Sequence, residues 1–105
     1  VKGLARGLGI SESITSPTYT LANEYHFTHE ERPGLFVHID AWRMQGFEDL
    51  VDIGISTYMQ KNAVLAIEWA EKFEDTILSL NAKVIRIRIE RKENEDERSI
   101  SLQEL

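Results

Sequence analysis

Apolar and polar positions change rhythm several times along these 105 residues, and each rhythm predicts a different element. Val1, Leu4, Ala5 and Leu8 fall at i, i+3, i+4 and i+7, one face of a helix. Gly9 suits the left-handed position just past a helix end. Gly3 and Gly7 each weaken an isolated helix by about 1 kcal/mol relative to alanine. No capping residue precedes Val1, so the segment is expected to fray alone and the chain to have lost its natural beginning. In the polar stretch Ser11–Pro17, Pro17 pushes Ser16 toward extended geometry.

The period then shortens to two. Tyr19, Leu21 and Tyr25 alternate with small or polar residues across Thr18–Tyr25, which predicts a half-exposed strand. Arg32-Pro33-Gly34 carries the residues of a turn. Leu35–Asp40 reads as the second strand, a hairpin partner of the first, with Phe36, His38 and Asp40 on one face and Leu35, Val37 and Ile39 on the other. Phe47–Ile53 predicts a short helix with Phe47, Leu50 and Val51 on one side and Gly54 to stop it. Ile55–Gln60 adds another turn or two through Ile55, Tyr58 and Met59.

Ala63–Ile67 is a run of five apolar residues, the pattern of a short strand covered on both faces at the centre of an α/β sheet. It ends abruptly in Glu68 and Trp69. Ala70–Phe73 reads as a loop or one helical turn, and Ile77–Leu80 is apolar without a decided element. Lys83–Glu90 alternates again, with Ile85, Ile87 and Ile89 inward and Arg86 and Arg88 outward. A polar turn at Asn94–Glu97 leads into Arg98–Leu105, so the chain closes on an antiparallel hairpin whose charges protect its edge. The fold class is thus α/β, in a single domain over residues 1–105.

Composition narrows the function. No apolar run approaches the length of a membrane span, and no apolar leader follows the first basic residues, which points to the cytoplasm. The absence of cysteine removes disulfides, thiolate metal sites and a cysteine nucleophile. A formal charge of −6, with basic residues mixed among acidic ones as in Glu90–Arg98, argues against this chain holding nucleic acid by itself.

Two strands end in carboxylates, Asp40 and Glu68, each followed closely by a tryptophan. In open α/β sheets ligands collect beyond the carboxyl ends of strands. Carboxylates on neighbouring strand ends suit magnesium, which takes a few oxygens together with water and substrate phosphate, or general acid–base work. The plainer reading of Glu68 is that the strand there reaches water. His38 with Asp40 supplies two metal ligands at most, and a histidine on a strand face is more often a hydrogen-bonded structural residue. Trp42 and Trp69 are open to two readings, packing groups or base stackers. Tyr19, Tyr25 and Phe36 are simplest as core. No Gly-x-Ser-x-Gly elbow, His-Glu-x-x-His helix or G-x-x-x-x-G-K-[ST] phosphate loop occurs in the chain.

Four blocks in fixed order carry a family resemblance: K-G-L-A-R-G-L-G (2–9), S-P-T-Y-T-L-A-N-E-Y (16–25), H-I-D-A-W-R (38–43) and A-I-E-W-A-E-K (66–72). Together they resemble the TsaE (YjeE) family of small P-loop ATPases, which assist bacterial synthesis of threonylcarbamoyladenosine on tRNA. The resemblance covers about Val1–Phe73. It implies a P-loop NTPase-like mixed sheet with flanking helices, ATP and Mg2+ as cofactors, and TsaD and TsaB as partners, with tRNA handled by that assembly. Glu68 then matches the acid at the end of the Walker-B-like strand and Asp40 the family's other acidic site residue, assisting the metal or the hydrolytic water. Trp69 belongs to a segment beside the nucleotide. Ser16, Thr18 and Thr20 lie in a switch-like block near the γ-phosphate, where a hydroxyl registers nucleotide state.

The departure is the phosphate loop. In the family it and its lysine precede the helix that starts here at Val1, and the strand leading into the loop belongs inside the sheet. The 105 residues therefore hold magnesium-side groups without the backbone cradle for the β- and γ-phosphates. Two alternatives compete: a non-catalytic interaction module, and a small metal-dependent hydrolase built on His38, Asp40 and Glu68.

Overall fold

A computed structural model describes residues 1–14, 22–42 and 44–105, with only the backbone of Phe47 among them. Ser16, Thr18, Tyr19, Thr20 and Leu21 lie outside the described residues, as does Arg43. The chain forms two compact units, Val1–Lys72 and Phe73–Leu105.

The first unit is built on a mixed sheet of β1 (Ala22–His29), β2 (Arg32–Asp40) and β3 (Val64–Glu68), in that spatial order. β1 runs antiparallel to β2, whereas β2 and β3 are parallel. Parallel neighbours need a crossover, here made by α2 (Phe47–Asp52) and α3 (Ile55–Gln60). The strand covered on both faces is β2, since Phe36, Val37, His38 and Ile39 are all buried. The apolar run Ala63–Ile67 was expected in that role, but among the described strands β3 has one neighbour and its residues are only half-buried, with Val64 exposed. Apolar continuity reported the strand correctly but overstated its cover.

The two faces of β2 are packed differently. Phe36 shares one face with Tyr25 and Phe27, and these rings join Ala5, Ile10 and Ile14 in one cluster, with Val1, Leu8 and Ala66 against it. The helix α1 (Lys2–Gly7) therefore covers that face. Its end is a full Schellman motif: Gly9, at φ +83°, donates from N to Arg6 O at 3.0 Å, and Ile10 N donates to Ala5 O at 3.0 Å. The motif turns Ile10 back onto Ala5, so the cap also supplies core. Leu4 was expected on the buried stripe but is 42% exposed; a six-residue helix with Ala5 at its contact point buries a narrower stripe than four positions.

On the opposite face, α3 is fixed by Tyr58, whose hydroxyl donates to Glu24 Oε1 at 2.5 Å. Glu24 is the register partner of Val37, which places this contact on the Val37 and Ile39 side of the sheet. Leu50 of α2 and Ile55 of α3 are fully buried, while Val51 is exposed, contrary to its expected place beside Leu50. Asp49 Oδ2 accepts from Gln45 N at 2.8 Å and so ties the first turn of α2 to the chain just before it. α3 ends as α1 does, with Asn62 at φ 55°, Asn62 N donating to Met59 O and Ala63 N to Tyr58 O.

The β1–β2 turn is not at Arg32-Pro33-Gly34. Glu30 and Glu31, at φ 50° and 65°, form the two-residue turn, and all three expected turn residues belong to β2. Two positive φ values match the right-handed twist of a hairpin, although glutamate pays about 1 kcal/mol or more for each. Pro33 is tolerated because β3 pairs only from Phe36 onward, leaving that end of β2 with one neighbour. Gly34 has a packing reason. A methyl at its position would overlap the ring of its cross-strand partner Phe27.

The first unit ends within a 3-10 turn (Ala70–Phe73), and the second holds α4 (Glu74–Leu78) followed by the hairpin of β4 (Ile85–Arg91) and β5 (Arg98–Glu104). The alternation is as expected, but Ile85, Ile87 and Ile89, with Ile100 and Leu102 on the same face, are each more than half exposed. The reason is on the other face, where Arg86 makes a two-pronged ion pair with Glu74 of α4 and donates to Gln103 at 3.2 Å. The short helix is tied to the arginine side, not the isoleucine side.

Two outcomes follow. Gly34→Ala should destabilise the protein by about 1–3 kcal/mol through overpacking against Phe27, measured by denaturant unfolding. Burial and the bond to Glu24 push the Tyr58 phenol up to about 12. Its raised value means a stabilising contribution that is full below the ordinary tyrosine range and lost as pH climbs from about 10 toward 12. Glu24→Gln should lower the Tyr58 midpoint in an ultraviolet titration.

Candidate functional site

The parallel register pairs Phe36 with Val64, Val37 with Leu65, His38 with Ala66, Ile39 with Ile67 and Asp40 with Glu68. Partners in adjacent strands point to the same side, so Asp40 and Glu68 stand next to each other at the carboxyl ends of β2 and β3. The sheet continues one bond further, with Ala41 N donating to Glu68 O at 3.0 Å. Both sequence-predicted carboxylates are therefore brought together at one sheet end, where the peptide ladder holds them.

Asp40 accepts a backbone hydrogen bond, and Glu68 approaches a buried histidine. Asp40 Oδ1 accepts from Trp42 N at 2.9 Å, a local Asx turn that orients the side chain. Glu68 Oε1 lies 3.4 Å from Nε2 of His38, whose side chain is 3% exposed against 38% for Glu68. The three-ligand alternative finds no support, because among the described residues no group of three or more His, Cys, Asp or Glu side chains is arranged to hold a metal.

The tryptophans that follow the carboxylates pack on each other, with ring centroids 4.7 Å apart and planes tilted by 56°. Both rings remain more than half exposed, so they are neither core groups nor a parallel clamp for a base. Trp69 sits at φ 59°, the left-handed region, which costs a bulky residue about 1–2 kcal/mol. Offset aromatic pairs return about 0.5–1.5 kcal/mol beyond area burial, comparable to that strain. Lys72 completes the rim: its Nζ donates to Trp42 O at 3.0 Å and to Met44 O at 3.5 Å, and lies 5.8 Å from the Trp42 ring centroid. Sequence reasoning gave Lys72 no role, though it closes the A-I-E-W-A-E-K block. Thr18 and Thr20 lie outside the described residues.

The fold and site define a class, an α/β protein with paired carboxylates at adjacent parallel strand ends. A family model described as "Threonylcarbamoyl adenosine biosynthesis protein TsaE" matches residues 1–100. Relatives bearing the name "tRNA threonylcarbamoyladenosine biosynthesis protein TsaE" include that of Treponema pallidum, 47% identical over 69% of this chain and 50% of its own length. That of Haemophilus influenzae is 34% identical over 68% of this chain and 42% of its own length. That of Bacillus subtilis is 33% identical over 95% of this chain and 57% of its own length. No solved structure matches. The chain belongs to the TsaE family, and it spans about half the length of the curated relatives it matches.

The contact between Trp42 and Trp69 should produce an exciton couplet in far-ultraviolet circular dichroism. Trp42→Phe and Trp69→Phe should each abolish it and lower stability by about 0.5–1.5 kcal/mol, the worth of the ring contact.

Proposed function

We propose that this chain supplies the magnesium-side part of an ATP-hydrolysing accessory protein in threonylcarbamoyladenosine synthesis on tRNA. The observation that carries the reading is the register pairing of Asp40 with Glu68 at parallel strand ends. Magnesium takes one or two carboxylates and completes its octahedron with water and substrate phosphate, a donor set that this pair fits. When bound there, the ion supplies neutralisation of charge on the transferring phosphoryl group. In this reading Trp42 N–H holds Asp40 in orientation, Glu68 presents its carboxylate beside it, and Trp69 borders the nucleotide. The γ-phosphate is sensed by a hydroxyl of the block that holds Ser16, Thr18 and Thr20.

The fold in this reading is P-loop NTPase-like, in one domain that takes in both units, as the match over residues 1–100 supports. The half-exposed β3 fits a sheet whose further strand leads into the phosphate loop, which these 105 residues do not contain. TsaD and TsaB are the partners implied by family membership, and tRNA is reached through them in the cytoplasm.

In the full-length protein, Asp40→Ala and Glu68→Ala should each lower ATP turnover by about tenfold or more, as expected for loss of metal or charge stabilisation. The 105-residue chain by itself should show negligible magnesium-dependent hydrolysis. Unchanged turnover in both variants would overturn the site and favour a non-catalytic interaction module.

A further inference from the structure

We propose that His38 is the positioning residue for Glu68: its buried imidazole fixes the rotamer of that carboxylate before any ligand arrives. This rests on the reading of Glu68 as a magnesium-side group. His38 is 2% exposed on the most deeply covered strand. Its register neighbours on the same face are Asn23 in β1 and Ala66 in β3. Alanine at 66 leaves room for the ring to lean toward β3, and Glu68, two residues along that face, is where Nε2 arrives at 3.4 Å.

The two partners differ in freedom. Packing holds the imidazole, whereas the Glu68 side chain is 38% exposed and loses up to about 2 kcal/mol of rotamer entropy when ordered. A fixed group beside Oε1 confines the carboxylate in advance and leaves its other oxygen free of the imidazole. The contact is not a formed N–H···O bond, which spans about 2.7–3.2 Å with the hydrogen aimed at its acceptor, and such bonds tighten when the ligand is in place. Because the ring is buried and faces Glu68, His38 orients a ligand-holding group and does not itself join the ligand set.

The test uses the full-length protein with Mn2+ and a non-hydrolysable ATP analogue, reading Mn2+ affinity by electron paramagnetic resonance alongside turnover and thermal midpoint. Glutamine keeps an N–H donor near the position of Nε2, and leucine keeps the volume without it. His38→Leu should weaken Mn2+ binding by about tenfold, and His38→Gln should recover affinity to within about threefold of the parent. Parent-like Mn2+ affinity in His38→Leu would overturn the proposal. So would equal losses in both variants that track their thermal midpoints, because that pattern belongs to a structural histidine. Glu68→Gln separates the two readings. Parent-like binding and turnover in that variant would overturn the magnesium-side assignment and the positioning role with it, whereas a loss there with an indifferent His38→Leu would overturn the positioning role alone.

Discussion

The arrangement turns on two carboxylates held side by side. Adjacent strands lie about 5 Å apart, so the ladder brings two like charges near one another at one sheet end. Asp40 and Glu68 are kept in that relation by the parallel ladder, which runs from Phe36 and Val64 through the pair and on to the bond from Ala41 N. A free strand end would let them diverge. The Trp42 amide donates to Asp40, and the buried His38 ring lies 3.4 Å from Glu68. A cation between the two carboxylates would offset their mutual repulsion, which is what the proposed magnesium reading asks of the pair.

That register cannot slip by one residue, because the faces of β2 are unlike. One side packs Phe36 against Tyr25 and α1, and the other carries Val37 and Ile39 toward the helices of the crossover. A one-residue shift would exchange the two sets, putting isoleucine at the aromatic cluster and histidine among the crossover helices. The helix caps serve the same end. Gly9 returns Ile10 to the cluster, and Asn62 delivers the chain into β3 at the point where Val64 meets Phe36. Core packing, caps and register all fix where the two carboxylates end up.

Much of this was legible in the residues. Period-two alternation found β2, β4 and β5, and helical spacing found α1, α2 and α3. A carboxylate closing each apolar strand found Asp40 and Glu68. What failed did so for physical reasons. Pro33 and Gly34 are turn residues by propensity, yet one occupies a singly paired strand end and the other accommodates the Phe27 ring, while two glutamates make the turn. Apolar content could not say which of two parallel strands has neighbours on both sides, since that is a property of the sheet and not of either strand. The contacts of His38 and Lys72 were hidden because each reaches across elements, His38 to Glu68 over Ala66 and Lys72 back to the carbonyls of Trp42 and Met44.

Trp69 joins these levels. Its residue follows Glu68 directly, so the left-handed backbone at φ 59° sets the direction in which the chain leaves the carboxylate. Strain of this kind persists only where its surroundings hold it, and here the holder is the exposed contact with Trp42, itself anchored by Lys72 and by the bond from its own amide to Asp40. The two carboxylates are thus connected twice, through the ladder below them and through the tryptophan pair above. A ligand that reorients Asp40 would draw on the Trp42 amide and disturb the ring contact, and relaxation of Trp69 would follow at the residue next to Glu68. The Asp40 side chain, the tryptophan contact and the left-handed backbone beside Glu68 are thus linked through named atoms.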